Sequence, residues 1–130
     1  MPKPIVVIES PFNGTPEERA RNLRYLAWCL KDSLDRGEAP FASHGLYPTA
    51  YPEDPEHRAA GIAAGLAVRN LIGFSVFYAN LGFSDGMKHA FKSALSTERT
   101  IKVRLLPPEF RAAFDRGEWP PSATVRWVPT

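Results

Sequence analysis

The sequence lacks the residue groups that mark several common classes of protein. It contains one cysteine, Cys29, which excludes an intramolecular disulfide, and the helical pattern around it indicates a buried structural thiol. Its three histidines are isolated, with no paired cysteine or histidine at metal-ligand spacing, so we expect no metal site and no cofactor. A net charge of +2 without a dense Lys/Arg face argues against binding of duplex nucleic acid.

Long hydrophobic runs are absent as well. The first apolar run, Ile5-Val6-Val7-Ile8, has only four residues, which is too short for a signal peptide or a membrane span. We therefore expect a cytoplasmic protein without membrane association. What is present is an ordinary globular composition, with 44% hydrophobic and 23% charged residues. The length of 130 residues fits one domain over residues 1–130, with enough chain for one core.

Strand and helix patterns alternate along the chain. The β-branched run at residues 5–8 is typical of a strand buried on both faces. Residues 16–36 are predicted to form a long amphipathic helix, because Thr15 and Glu18 can form a capping box and Gly37 can end the helix. The other predicted elements are strands at residues 39–42, 71–79 and 101–105, helices starting at Asp54-Pro55, at Ser84 and over residues 109–116, and an edge strand at residues 124–128.

Apolar residues at helical spacing predict which helix faces are buried. The residues expected to face inward are Leu23, Leu26, Ala27, Leu30 and Leu34 in the first helix, Ala59, Ile62, Ala63 and Leu66 in the second, and Met87, Phe91, Ala94 and Leu95 in the third.

This alternation predicts a three-layer α/β domain of the flavodoxin or Rossmann type, with a mostly parallel sheet of four or five strands. In such open sheets ligands bind outside the carboxyl ends of the strands, near the point where strand order reverses. The loops at those ends are residues 10–14, 43–47 and 80–87. We therefore predict a ligand site where these loops meet the start of the third helix.

The first two loops carry polar candidates for that site. Ser10, Phe12 and Asn13 can place donors and a ring around a phosphate or sugar, or they can simply form the turn that enters the first helix. In the second loop, Ser43 is a candidate ligand contact. His44 can bind phosphate or act as an acid or base, although a structural hydrogen-bonding role is the competing interpretation.

The segment after His44 supports a ligand role for this edge. Tyr47 and Tyr51 lie in a loop rich in proline and tyrosine, which can form a wall against a flat ring. Arg58, near the start of the second helix, can reach an anion at the sheet edge. Alternatively, Arg58 pairs on the surface with Glu56 or Asp54.

The third loop contains the sequence Ser84-Asp85-Gly86-Met87. Free backbone N–H groups and the helix dipole at such a helix start attract anions, and a glycine in the first turn lets a phosphate approach. The competing interpretation is an ordinary N-cap. We predict that Ser84, Gly86 and Met87 bind phosphate.

A set of ordered motifs spans roughly the first four-fifths of the chain. They are Ile8-Glu9-Ser10-Pro11-Phe12, Arg21-Asn22-Leu23, Gly37-Glu38-Ala39-Pro40-Phe41-Ala42-Ser43-His44 through Tyr47, Pro55-Glu56-His57-Arg58 with Gly61-Ile62, Tyr78 through Gly82, Ser84-Asp85-Gly86-Met87, and Arg104. With these motifs the chain resembles the nucleoside 2-deoxyribosyltransferase-like superfamily, and within it a largely uncharacterised branch common in bacteriophages. The resemblance implies a domain that binds a nucleotide or nucleoside.

Enzymes of that superfamily cleave or exchange the N-glycosidic bond, through a glutamate in the third helix that attacks the anomeric carbon. The corresponding position here is Ala90, which cannot be a nucleophile. The resemblance therefore leaves Asp85, Glu9 and His44 as candidates for the chemistry.

Two functions remain open. One is an N-glycosidase or deoxyribosyltransferase that acts on a nucleoside monophosphate. The other is a binding module that kept the pocket, lost the nucleophile and sequesters a nucleotide, in the host cytoplasm if the protein is encoded by a phage. The resemblance also implies a homo-oligomer, for which residues 107–130 are a candidate interface.

Overall fold

Strands and helices alternate through the computed structural model, which describes residues 2–45, 50 and 54–121. The strands are β1 (Ile5–Glu9), β2 (Ala39–Phe41), β3 (Phe74–Tyr78) and β4 (Thr100–Arg104). The helices are α1 (Pro16–Asp35), α2 (Pro55–Arg69), α3 (Asp85–Ser96) and α4 (Pro108–Asp115), and a single 3₁₀ turn, Ser43–Gly45, follows β2. The predicted edge strand at residues 124–128 lies outside the described residues, as do Tyr47 and Tyr51.

The four strands form one parallel sheet in the order β2-β1-β3-β4. Ile5 pairs with Ala39 on one side of β1, and Ile8 pairs with Val76 on the other. The predicted α/β class with a parallel sheet is thus confirmed. The direction of chain progression reverses between β1 and β3, because α1 leads to one side of β1 and α2 crosses back to the other. A ligand crevice is therefore expected at the carboxyl ends of these two strands.

One face of the sheet packs against α1 and α4. The sheet contributes Val6, Ile8, Val76 and Tyr78 to this core, and the two helices contribute Tyr25, Leu26, Trp28, Cys29, Ala113 and Phe114. The thiol of Cys29 is buried, as predicted, and burial raises its pKa well above the ordinary value of 9.0. A thiol in this environment stays protonated and acts as a small apolar group.

The opposite face packs against α3 and α2. Phe77 of β3 contacts Met87 and Ala90 of α3 in a second apolar cluster. The helix α2 joins this face through Arg69, which reaches side chains of both β1 and α3. The sheet is therefore the middle of three layers.

Each of the first three helices begins at its predicted cap. The Thr15 hydroxyl accepts a hydrogen bond from the Glu18 N–H at 3.2 Å, and the Glu18 carboxylate accepts one from the Thr15 N–H at 3.0 Å. Asp54 and Ser84 cap α2 and α3 by accepting from the backbone N–H three residues on, at 2.9 and 3.2 Å. Gly37, at a φ of 85°, follows the end of α1. These contacts satisfy N–H groups that a helix start leaves unpaired.

The predicted start of the third strand at residue 71 is wrong, because β3 begins at Phe74. The end of α2 continues into a turn, in which the N–H of Leu71 donates to Val68 O and the N–H of Ile72 donates to Arg69 O, both at 3.0 Å. The side chain of Leu71 is 87% exposed as a result. The sequence pattern placed this residue in the strand because leucine is hydrophobic.

Seven residues predicted to face inward are exposed: Leu23 and Leu34 in α1, Ala59, Ile62, Ala63 and Leu66 in α2, and Leu95 in α3. In α1, the inward positions include Asn22, Asp32 and Ser33, whose polar groups find partners inside the protein. In α2, Gly65 faces inward because it packs against the Ser43 side chain, and the large apolar residues therefore face outward.

A buried polar network ties the two edge strands to α1. The two terminal nitrogens of Arg104, at the end of β4, donate to the two carboxylate oxygens of Glu38, just before β2, at 2.7 and 2.6 Å. The Ser33 hydroxyl donates to Glu38 at 2.8 Å, and the Tyr78 hydroxyl donates to Asp32 at 2.7 Å. This network gives Glu38 and Arg104, two residues of the sequence motifs, a structural role.

Candidate functional site

Two residues predicted from separate loops meet at the carboxyl edge of the sheet. The Ser10 hydroxyl oxygen and Nε2 of His44 lie 2.7 Å apart, within hydrogen-bonding distance. Ser10 is only 5% exposed, and His44 is partly buried. The ring of Phe12 meets the imidazole edge-on, with centroids 6.2 Å apart. The structure thus brings three predicted site residues together. We call Ser10 and His44 the Ser10–His44 pair, and Phe12 is its aromatic neighbour.

Close packing on both sides fixes the turn that carries His44. A Cβ on Gly65 would lie 2.7 Å from the Ser43 hydroxyl oxygen, and a Cβ on Gly45 would lie 2.7 Å from Cδ2 of Leu26. Real side chains do not approach this closely, so glycine at these two positions allows α2 and α1 to hold the turn between them. Ser43 is a packing contact of α2 in this arrangement.

The loop that carries Ser10 is fixed by Asn22, a buried residue of α1. Its amide nitrogen donates to the carbonyl oxygen of Phe12 at 3.1 Å and to that of Asn13 at 3.4 Å. The side chain of Asn13 is itself exposed. Asn22 was not predicted as a site residue, although an asparagine among the apolar residues of a helix is a signal that a buried backbone group needs a partner.

Burial lowers the pKa of His44 from its ordinary 6.5 to about 4. Removal from water disfavours the charged imidazolium, and burial is the one cause of the shift. His44 is therefore neutral at pH 7. A neutral imidazole has one donor and one acceptor nitrogen, so the pair with Ser10 carries no net charge.

Glu9, the last residue of β1, lies on the sheet face covered by α2 and α3. Nη1 of Arg69 is 3.4 Å from Oε1 of Glu9, and the Glu9 side chain is 17% exposed. Burial raises the pKa of Glu9 above its ordinary 4.5, and the nearby Arg69 and Arg99 offset the increase only in part. A carboxyl group with a raised pKa, next to the reversal of strand order, is a candidate acid or base.

Two arginines that the sequence interpretation did not single out surround this carboxyl group. Arg69 also donates to the Ser93 hydroxyl at 3.3 Å, which links α2 to α3. Arg99 donates to the Ser75 hydroxyl at 2.8 Å and to the backbone oxygen of Arg69. No local motif marks these residues, because they come together only through the crossing of α2 and α3 over the sheet.

The start of α3 has the predicted cap, but its residues divide between surface and core. Asp85 and Gly86 are exposed, whereas Met87 is fully buried in the cluster around Phe77. The Met87 side chain thus belongs to the core, and only its backbone N–H takes part in the cap. Ala90, at the position of the superfamily glutamate, is 6% exposed and packs in the same cluster. Phosphate binding at this helix start stays a prediction.

Arg58 lies in the second turn of α2. It makes no hydrogen bond or ion pair with Glu56 or Asp54. The Asp54 carboxylate instead accepts from the backbone N–H of His57 at 2.9 Å and lies 2.5 Å from Nδ1 of His57. A shallow pocket of about 300 Å³ lies beside this turn, and its lining residues are Asp54, Pro55, Arg58, Ala59 and Ile62. Arg58 therefore lines this pocket together with the acidic residue Asp54, and anion binding by Arg58 stays a prediction.

Within residues 2–45, 50 and 54–121, no three His, Cys, Asp or Glu side chains are grouped so that they could hold a metal ion. Over the same residues, each helix is too short or too polar to cross a membrane.

A four-stranded parallel sheet between two helix layers, with the strand order reversing between β1 and β3, defines a Rossmann-like α/β domain. Residues 4–104 match DUF7768, a domain of unknown function, and the chain belongs to this family. The matched region extends from just before β1 to the end of β4, so it includes the whole sheet and the Ser10–His44 pair. Comparisons with curated proteins and with solved structures give no significant match.

Proposed function

We propose that the protein binds a nucleoside or nucleotide at the carboxyl edge of the sheet, around the end of β1. The observation that carries this proposal is the Ser10–His44 contact of 2.7 Å at the predicted ligand edge. The loops that carry the two side chains are held by Asn22 and by close packing before any ligand arrives. Such preorganisation favours binding, because little side-chain entropy is lost when the ligand is bound.

Cleavage of the N-glycosidic bond is the activity that we propose for the bound ligand. Glu9 supports it, because burial raises its pKa, and a carboxyl group with a raised pKa at this edge is a candidate general acid for the departing base. The N-glycosidic bond breaks as water adds to the anomeric carbon and gives a proton to the Glu9 carboxylate, so that the free base and the sugar, with its phosphate where present, are the products. Asp85, which is exposed at the start of α3, is the alternative carboxylate.

A binding module without catalysis is the second candidate function. Ala90 favours it, since this position contributes a methyl group to the apolar cluster of Phe77 and Met87 and no carboxylate. In this case the ligand would be held intact, and Glu9 would serve to anchor Arg69 between α2 and α3.

Incubation with the common ribonucleosides, deoxynucleosides and their 5′-monophosphates tests both candidates. Chromatography measures release of free base, and calorimetry measures binding. Release that is lost in Glu9→Gln and retained in Glu98→Gln, an exposed carboxylate between α3 and β4, would support the enzyme. Loss in Asp85→Asn alone would move the chemistry to Asp85.

Binding with recovery of intact ligand would instead support the non-catalytic module. The absence of both binding and base release across the panel would contradict the proposed function. Each variant is compared with the wild type by thermal unfolding, since Glu9→Gln removes the partner of the buried Arg69.

A further inference from the structure

We propose that the Ser10–His44 pair recognises an uncharged hydroxyl group of the ligand's sugar, and that any phosphate binds elsewhere. This inference rests on the proposed function, because it names which part of a nucleoside or nucleotide the pair contacts. It assigns a specificity role to two residues and separates them from the anion-binding candidates at Arg58 and at the start of α3.

The position of the imidazole leaves one of its nitrogens available to a ligand. Nε2 is engaged by Ser10, whereas Nδ1 has no hydrogen-bond partner among the described residues. Within the same residues, every fully buried side-chain nitrogen and oxygen atom has a partner. Nδ1 is therefore not completely buried, and it is the imidazole nitrogen that remains for an incoming group.

The chemistry of the pair matches a hydroxyl group. A neutral imidazole can hold its proton on either nitrogen, and a serine hydroxyl can donate or accept. If Ser10 donates to Nε2, then Nδ1 carries a proton and is a donor. If Nε2 carries the proton and donates to Ser10, then Nδ1 is an acceptor. A sugar hydroxyl can both donate and accept, so it can bind to either form.

A phosphate group fits the pair less well. Its oxygens at neutral pH act mainly as acceptors and bind best to charged donors such as arginine. His44 is uncharged at pH 7, since burial lowers its pKa to about 4. In contrast, Arg58 is a full cation beside an open pocket. The two kinds of recognition are thus separated between the end of β1 and the start of α2.

A thermodynamic cycle tests this assignment. Calorimetry is performed with the nucleoside of the panel that binds most tightly, with its analogues lacking each sugar hydroxyl in turn, and with its 5′-monophosphate. The proteins are the wild type, His44→Gln and His44→Asn. The Gln amide can replace Nε2 toward Ser10 but leaves the Nδ1 position empty, whereas the Asn amide lies near the Nδ1 position. His89→Gln, an exposed histidine of α3, is the matched control.

We expect His44→Gln to bind the nucleoside about tenfold more weakly than the wild type, equivalent to about 1.4 kcal/mol. One deoxy analogue should bind wild type and His44→Gln equally, because the hydroxyl that contacts Nδ1 is missing. His44→Asn should retain part of the preference for the parent nucleoside, and His89→Gln all of it.

Two results would overturn the assignment while leaving the proposed function intact. One is an equal loss of affinity for every deoxy analogue in His44→Gln. The other is a loss in His44→Gln that is confined to the 5′-monophosphate. If no nucleoside or nucleotide of the panel binds the wild type, the proposed function fails and the assignment fails with it.

Discussion

Replacement of Arg104 by methionine should destabilise the protein strongly, because it breaks the buried contact with Glu38. Both side chains are almost completely removed from solvent, at 8% and 9% exposed, and their closest atoms are 2.6 Å apart. The variant keeps most of the apolar volume of the arginine stem but leaves the Glu38 carboxylate without its cation. The hydroxyl of Ser33 is the partner that remains to it.

The expected loss is about 3–5 kcal/mol, which is the usual cost of removing one partner from a buried ion pair. The total stability of a domain is about 5–15 kcal/mol, so the variant should remain folded only with a small margin. With a urea m-value of about 2 kcal/mol per M, the unfolding midpoint should fall by about 2 M. The double variant Glu38→Gln/Arg104→Met should recover much of this loss, since no buried charge remains.

The pH dependence gives a second measurement of the same contact. Arg104 holds the pKa of Glu38 below its ordinary 4.5, with burial acting in the opposite direction. The carboxylate therefore contributes stability that is present above about pH 4.5 and lost as the pH falls through the folded pKa. Glu38→Gln should lack this part of the acid sensitivity.

The surface pair Arg116–Glu118 is a matched control with a similar separation of 2.5 Å, but with both side chains at least half exposed. Arg116→Met should leave the urea midpoint unchanged, because exposed ion pairs contribute little. Equal midpoints for Arg104→Met and Arg116→Met would refute the argument that burial makes the Glu38–Arg104 contact important.

Three further predictions concern the site. His44 takes up a proton near pH 4 in the folded protein and near pH 6.5 in the unfolded chain. The free energy of unfolding should therefore fall by on the order of 3 kcal/mol as the pH is lowered from 6.5 to 4. Urea titrations of the wild type and of His44→Gln across this pH range measure the effect. Gly65→Ala should cost about 1–3 kcal/mol in urea unfolding and displace His44, because its Cβ would overlap the Ser43 side chain. Gly73→Ala has open space around its Cβ and should have neither effect. Equal effects of the two variants would contradict the packing argument. Ala90→Glu should lower the melting temperature without raising base release above that of the wild type, because it places a carboxylate in an apolar cluster. A stable variant with increased base release would show that the position opens to the ligand.

Local signals in the sequence were sufficient for the order of the described elements and, apart from the start of β3, for their predicted ends to within one residue. The capping box of Thr15 and Glu18 and the stop at Gly37 depend only on neighbours in the chain, and the structure has both. Predictions failed where a distant partner decides burial. Leu66 reads as a core residue of α2, yet it faces outward because Gly65 packs against Ser43, which lies more than twenty residues away.

The site was predictable in its parts but not in its pairing. Ser10 and His44 were each expected at the carboxyl edge, since each follows a strand, and parallel strands end at the same edge. Their contact requires the register of β1 against β2 and the packing of the turn between α1 and α2, which no local pattern encodes. The Arg69–Glu9 contact, between residues sixty positions apart, depends in the same way on the crossing of α2 over the sheet.

The pKa values of two glutamates are shifted in opposite directions. This difference separates a residue that stabilises the fold from a residue of the candidate site. Glu38 has a lowered pKa because Arg104 pairs with it closely, so its ionised form adds to the stability of the fold. Glu9 has a raised pKa because burial outweighs a looser contact with Arg69, and the ionised form is disfavoured there. His44 is likewise held in its less charged form. Neither environment stabilises the charged form of its residue, and both residues lie at the edge where a parallel sheet binds ligands. Glu9 and His44 are therefore candidates for a functional role, whereas Glu38 contributes to the stability of the fold.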